Sequence, residues 1–294
     1  MAAKKSTNDS ISMRERNIFK ALDVTNKNQV KAKTLLSRLE KMGILRDDQR
    51  IKPLMERLAE MSDKSSFNLE EFCQIIRPSI DLVERAVQGN MIIPDFATFT
   101  EEIQNIYNKT KRNRDGNVAN YIPQLGRVEP EQYAVSVCTV DGQRHSIGDH
   151  AVDFCVQSCS KPITYCLALE EHGEDIVHQY VGREPSGRGF NELTLNHEGK
   201  PHNPMINSGA IMSCAMLRPD IDVADRFDYV MEKWKALAGG RKVGFNNAVY
   251  LSERMTADRN FALGYYMREN KAFPEWADMI QTLEFYFQVC SIDV

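Results

Sequence analysis

Gln157-Ser158-Cys159-Ser160-Lys161-Pro162 is the stretch on which the reading of this chain turns, because it sets a serine three residues ahead of a lysine at the mouth of an expected helix. A serine hydroxyl is a poor nucleophile until a neighbouring base takes its proton. A lysine one helical turn further on lies on the same face, within reach of that hydroxyl. Partial burial lowers the pKa of its amine and lets it act as the base. The spacing alone is common by chance, and read bare it also describes a capped, solvated helix start. The surrounding residues have to decide.

Downstream of this pair the pattern is helical. Ile163 to His172 ends at Gly173, Asp175 to Val181 ends at Gly182, and Asn207 to Leu217 forms a further helix. Phe227, Val230, Met231, Trp234 and Leu237 mark a long amphipathic helix closed by Gly239-Gly240. Upstream the period changes to two. Val135 and Val137 alternate, Asp141-Gly142 is a hairpin turn, and Gln143 to Gly148 returns. A lone hairpin is marginal in water, so these strands call for partners that the chain does not visibly supply.

The first 85 or so residues read as short helices. Ile18, Phe19 and Leu22 share a face, as do Leu35, Leu36, Leu39 and Met42 ahead of Gly43. Ile51 to Met61 carries a third stripe, and Asn68 caps a fourth helix with Phe72, Ile75 and Ile76. Two helix-loop-helix units in a row suggest the EF-hand layout, which needs oxygen ligands at alternate loop positions, a glycine at the sixth and a glutamate at the twelfth. Asp23 to Thr34 offers Asp23 and Thr25, but places Lys27 where a cation would sit and Asn28 at the glycine position. Ser62 to Glu71 is too short. A packing or assembly module without calcium is expected. Ser79 to Gln88 and a stripe of Phe96, Phe99, Ile103, Ile106 and Tyr107 continue as helices, and Lys109 to Asn120 reads as a solvated linker at a domain boundary.

At 294 residues, with 42% hydrophobic and 27% charged, the chain is a globular one of one large domain or two ordinary ones. No apolar run approaches the ~18 residues of a membrane span. A net charge of −4 gives no general attraction to nucleic acid. Seven scattered cysteines without a Cys-x-x-Cys pair point to reduced thiols rather than a disulfide framework or a zinc site. Lys4 and Lys5 are followed by no apolar core, so a secretory signal is not expected, and Asp9 and Glu15 make a poor transit peptide.

Six segments line up in order: Tyr121-Ile-Pro-Gln-Leu125, Gln157 to Pro162, Pro201-His-Asn-Pro-Met-Ile-Asn-Ser-Gly-Ala210, Ser252-Glu-Arg254, Asp258-Arg-Asn-Phe-Ala262 and Phe285-Tyr-Phe-Gln-Val-Cys290. Together they resemble glutaminase, specifically the animal kidney-type enzyme, and the likeness runs from about Met13 to the last residue. The resemblance implies an α+β protein in three parts: a helical EF-hand-like module without calcium ligands over 1–85, connecting helices and linker over 86–120, and a serine β-lactamase-like domain over 121–294. That domain would join short antiparallel strands to a helical half.

The implied reaction is hydrolysis of L-glutamine to L-glutamate and ammonia. Ser158 would be the nucleophile, Lys161 the base and Tyr286 a second acid-base group. Tyr121, Gln157, Ser158, Asn207, Glu253, Asn260 and Tyr286 match the family's substrate-binding positions. Read without the family, Tyr286 is a core aromatic and Glu253 a surface helix charge. Glu253 and Asn260 lie about 10.5 Å apart along an unbroken helix, so they can hold one small molecule only if the helix breaks, and Asp258 is the expected N-cap of the second piece. In the loop from Glu184 to Lys200, Phe190, Leu193 and Leu195 favour burial against something, which the resemblance implies is a subunit interface near the active site; the alternative is an ordinary surface loop.

The family further implies no metal or organic cofactor, inorganic phosphate as activator, and a homotetramer or a mixed oligomer with full-length glutaminase. A mitochondrial location follows from the family, with the cytoplasm as the alternative. In relatives the domain continues past the segment matching Phe285 to Val294 and supplies further strands and an oxyanion-hole donor. One such donor is worth about 3 kcal/mol, so weakened turnover is expected of these residues alone, with assembly into a longer subunit's oligomer as the alternative role. A β-lactam or peptide hydrolase sharing Ser-x-x-Lys is the third reading, without a visible Lys-Thr-Gly strand.

Overall fold

The computed structural model describes residues 11–61 and 66–294. The basic start at Lys4 and Lys5, Asp9, and residues 62–65 of the second EF-hand-like loop lie outside that description. The chain divides into two compact units, one of 1–115 with 132–150 and one of 116–131 with 151–294.

The first unit opens with α1 (Met13–Leu22), whose start is closed by a reciprocal box in which Glu15 accepts from the Ser12 backbone and Ser12 Oγ accepts from the Glu15 backbone. Next come β1 (Val30–Lys31), α2 (Ala32–Lys41), α3 (Lys52–Glu60), β2 (Ser66–Phe67), α4 (Leu69–Ile76), α5 (Ile80–Gln88) and α6 (Phe96–Thr110). Gly43, at φ +77°, ends α2 in the left-handed region, and Ile44 N–H reaches back to Leu39 O. Asn68 and Glu71 repeat the capping box on α4. The stripes read from the sequence meet in one core, with Phe19 edge-on to Phe72 at 5.5 Å. In α6 only Phe96 and Tyr107 are buried, and Ile106 faces solvent.

The two loops of this unit pair through β1 and β2, antiparallel, Val30 opposite Phe67. Asp23 spends its carboxylate on the loop itself, accepting from Thr25 Oγ1, Lys27 N–H and Asn28 N–H at 2.8 to 3.3 Å. Asn26 and Asn28 adopt positive φ, which asparagine tolerates better than most residues. The loop is thus closed by its own polypeptide.

The hairpin of β3 (Ala134–Cys138) and β4 (Arg144–Gly148), expected with residues 121–294, groups instead with the helical module. The reason is the chemistry of its turn. Asp141 accepts from Ile92 N–H at 2.7 Å and from Arg85 at 2.8 Å, and its main-chain oxygen accepts from Arg50. Gln143, fully buried, accepts from Ile93 N–H and donates to the carbonyls of Met42 and Ile93. Arg144 N–H donates to Gly43 O at 2.8 Å. The partners that this hairpin finds among the described residues are therefore loop backbone and two arginines, not further strands.

The second unit holds α7 (Ser160–His172), α8 (Glu174–Tyr180), α9 (Asn207–Met216), α10 (Val223–Leu237), β5 (Gly244–Phe245), α11 (Asn247–Met255), α12 (Asp258–Glu269), α13 (Met279–Cys290) and β6 (Ile292–Asp293). Its centre is α9, in which every residue is buried. The sequence Asn-Ser-Gly-Ala-Ile-Met-Ser-Cys-Ala-Met has no charge and no polar face, the mark of a helix surrounded on all sides. Helices α7, α12 and α13 pack around it. Gly209 is required here, since a Cβ would fall 1.9 Å from Asn203 O. β5 pairs with β6, and residues 154–156 run along 292–294 through Phe154 and Val294 at 3.0 Å and Val156 N–H to Ile292 O at 2.8 Å.

Candidate active site

That last pairing sets the height at which Gln157 leaves the strand and turns into α7. Gln157 sits at φ +43°, a left-handed conformation that costs a non-glycine residue about 1–3 kcal/mol. The cost is offset because the Gln157 amide is held from several directions. Tyr121 hydroxyl donates to its Oε1 at 3.2 Å, and its Nε2 donates to Glu253 Oε2 at 3.3 Å and to Cys290 O at 3.2 Å. Ser160 Oγ donates to the Gln157 carbonyl at 2.7 Å.

Ser158 lies in the 3-10 turn Gln157–Cys159 that precedes α7, and it is exposed. Lys161 is the second residue of α7 and is 5% exposed. The two are three residues apart, Ser158 in the turn and Lys161 in the helix that follows it. Among the described residues, however, the recorded bond of Lys161 Nζ goes to Asn207 Oδ1 at 2.8 Å rather than to the Ser158 hydroxyl. The buried ammonium takes the fixed acceptor that α9 offers, while Ser158 faces solvent. Burial pulls the Lys161 pKa down.

Asn207 passes the contact on, donating from Nδ2 to Asn260 Oδ1 at 3.0 Å. Asn260 and Glu253 stand on different helices, because the chain breaks at Thr256 and Ala257 between α11 and α12. The break falls where the spacing required it. Asp258 is not its cap, though: it is the first helical residue, and Ala257 occupies the cap without a side-chain bond.

Glu253 is 7% exposed, so the surface-charge reading does not hold. Burial pushes its carboxyl up to about 7, and the bond from Gln157 draws it the other way. Tyr286, on α13, is 4% exposed, and burial raises its phenol well above the usual range, with Cys290 and Glu253 adding to the effect. The geometry thus forms two linked sets: Tyr121, Gln157 and Glu253 on one side, and Lys161, Asn207 and Asn260 on the other. α13 lies beneath with Tyr286 and Cys290.

Cys290 and Phe190 were not foreseen. Cys290 follows Tyr286 by four residues on one helix, a spacing that could have drawn attention to it. Nothing in the pattern around Phe190 indicates that its carbonyl accepts from Asn207 N–H at 2.8 Å, or that its ring lies 5.5 Å from Lys161 Nζ. Within the single chain Phe190 and Leu193 are exposed, at 61% and 43%, and of the three apolar residues in this loop only Leu195 packs on the core. The loop meets the site through the Phe190 carbonyl, a backbone bond that leaves its apolar side chains free to face outward.

With short strands and helices gathered around a fully buried one, and by its likeness to the solved structure given below, the second unit is of the serine β-lactamase-like class. The family model described as glutaminase matches residues 116–294, and an EF-hand domain model matches 14–94. This chain belongs to the glutaminase family. It is 46% identical to "Putative glutaminase 2" of Caenorhabditis elegans, over 94% of this chain and 48% of that one. It is 42% identical to the mouse (Mus musculus) "Glutaminase liver isoform, mitochondrial", over 87% and 43%. Among solved structures, that of "Probable glutaminase ybaS" superposes with a TM-score of 0.63 at 28% identity, covering 67% of this chain and 63% of the other. The chain spans about half the length of the curated relatives it matches. Among the described residues, no helix is long and apolar enough to cross a membrane.

Proposed function

We propose that the second unit hydrolyses the side-chain amide of L-glutamine through an ester on Ser158. Ser158 Oγ attacks the amide carbon as its proton passes to Lys161, and the collapse of the adduct releases ammonia, which leaves with a proton. Water then cleaves the ester to give L-glutamate and restores the hydroxyl. An amide nitrogen cannot leave as an anion, so a proton must reach it in the first half-reaction. Tyr286, kept protonated by its burial, is the donor we assign. Glu253 as carboxylate holds the substrate's α-ammonium, and Tyr121, Gln157, Asn207 and Asn260 bond its remaining polar groups.

One observation carries this reading: Lys161 is buried, its pKa lowered by that burial, three residues from an exposed serine and fixed in place by its bond to Asn207. Ammonia release from L-glutamine by the purified chain, abolished by Ser158→Ala, is the expected result. Equal release by both forms overturns the assignment.

A second reading, proposed on family grounds, has the chain work within a mixed oligomer beside a longer glutaminase subunit. Co-purification with such a subunit supports it, and separate elution on sizing removes it. A homotetramer, activation by inorganic phosphate, chemistry without metal or organic cofactor, and a mitochondrial location are proposed on family grounds. The mouse relative's own name supports the last of these.

A further inference from the structure

Asn203 stands where the loop 184–200 ends and α9 begins, and its one amide serves both. Its Oδ1 accepts from Met205 N–H at 2.9 Å and from Ile206 N–H at 3.3 Å. Both amides lie just ahead of α9, whose cap residue Ile206 makes no side-chain bond, so this acceptor fixes the turn that leads into the helix. Its Nδ2 donates to Glu184 O at 3.0 Å, at the far end of the same loop. There Gly182 N–H meets Pro201 O at 2.8 Å and Glu184 N–H meets His202 O at 3.1 Å, forming a two-stranded neck. The Asn203 carbonyl occupies the space a Cβ on Gly209 would fill, so it is seated against the first turn of α9 with no slack. Beyond the neck the loop returns to the site, where Phe190 O accepts from Asn207 N–H and the Phe190 ring faces Lys161.

We propose that Asn203 is a positioning residue that locks the 184–200 loop to the start of α9 and, through Asn207, sets the direction of the Lys161 amine. The inference rests on the function proposed above. Asn203→Asp separates its two duties: the acceptors for Met205 and Ile206 remain, while the donor to Glu184 O becomes an oxygen facing an oxygen.

Two readouts on the full chain test it. The first is tryptic cleavage after Arg188 within the loop, and the second is alkylation of Ser158 by a diazoketone analogue of L-glutamine, both followed by mass spectrometry. In Asn203→Asp, cleavage is expected to accelerate about tenfold and alkylation to slow about tenfold, the scale on which small misplacements act on a reacting group. Asn203→Gln, with its amide one methylene too far out, is expected to move both rates the same way. Faster cleavage with unchanged alkylation overturns the coupling, as does unchanged cleavage. An unaltered chain that is not alkylated at Ser158 sinks the hydrolase reading and the positioning role with it. An alkylated parent with an unaffected variant sinks the positioning role alone.

Discussion

Gln157 Nε2 donates to Glu253 Oε2 at 3.3 Å, joining residues 96 apart in sequence. The bond puts a neutral donor on a carboxyl that burial has raised to about 7. It also anchors the one residue of the nucleophile turn held in left-handed backbone. One contact therefore bears on both the backbone before Ser158 and the charge of Glu253.

Glu253→Gln is expected to stabilise the protein at alkaline pH while removing the anchor for a substrate ammonium. The folded carboxyl holds its proton to about pH 7, whereas the unfolded one releases it near 4.5. Stability tied to this group is fully present below 4.5, is lost as pH rises towards 7, and is absent above it. The loss amounts to about 3 kcal/mol. Urea denaturation should show the variant more stable at pH 8 and equal to the parent at pH 4. For the parent, KM for L-glutamine should fall as pH rises through 7, and a flat profile would count against the carboxylate's role.

Gln157→Glu brings a second carboxyl to the position of the amide. Two carboxylates that close cannot both ionise readily, so the pH at which glutamine binding sets in should move up by about one unit or more. The Tyr121 hydroxyl keeps its acceptor, and the shift reports on the two carboxyls as a coupled pair. Isothermal titration with L-glutamate or L-glutamine across pH 6 to 9 is the check.

Gln143→Ala removes three bonds from a fully buried amide and leaves Ile93 N–H and two carbonyls without partners. The expected cost is about 3 kcal/mol. It should appear as hydrogen exchange in the amides of 134–148 roughly a hundredfold faster, with the amides of α9 unaffected.

Asp23→Ala should cost about 1 kcal/mol, because the Lys27 and Asn28 amides lose their acceptor. Calcium added to the parent should leave the unfolding temperature unchanged, since that carboxylate is already engaged and Lys27 lies in the loop. A rise in unfolding temperature with calcium would reverse this reading.

Much of the fold was legible in the chain because it is written locally. The cap at Asn68, the stop at Gly43 and the helix that starts at Asn207 each act within a few residues, where periodicity and backbone preference suffice. The break between Glu253 and Asn260 was legible too, since helical rise alone forbids them a shared ligand without one. Hidden were relations that depend on chain segments meeting from afar. Asp141 and Gln143 look like ordinary turn residues until Arg85, Ile92 and Ile93 are placed beside them.

Sequence alone determined the helices, the family motifs and the candidate nucleophile with its lysine, because these rest on residue type and spacing. Tertiary structure alone decided that Lys161 gives its bond to Asn207, that Glu253 is buried and half-protonated near neutrality, and that Cys290 and Phe190 border the site. The reason is physical: desolvation and hydrogen-bond choice depend on what surrounds a group in space, and a residue's neighbours in sequence supply only part of that surrounding.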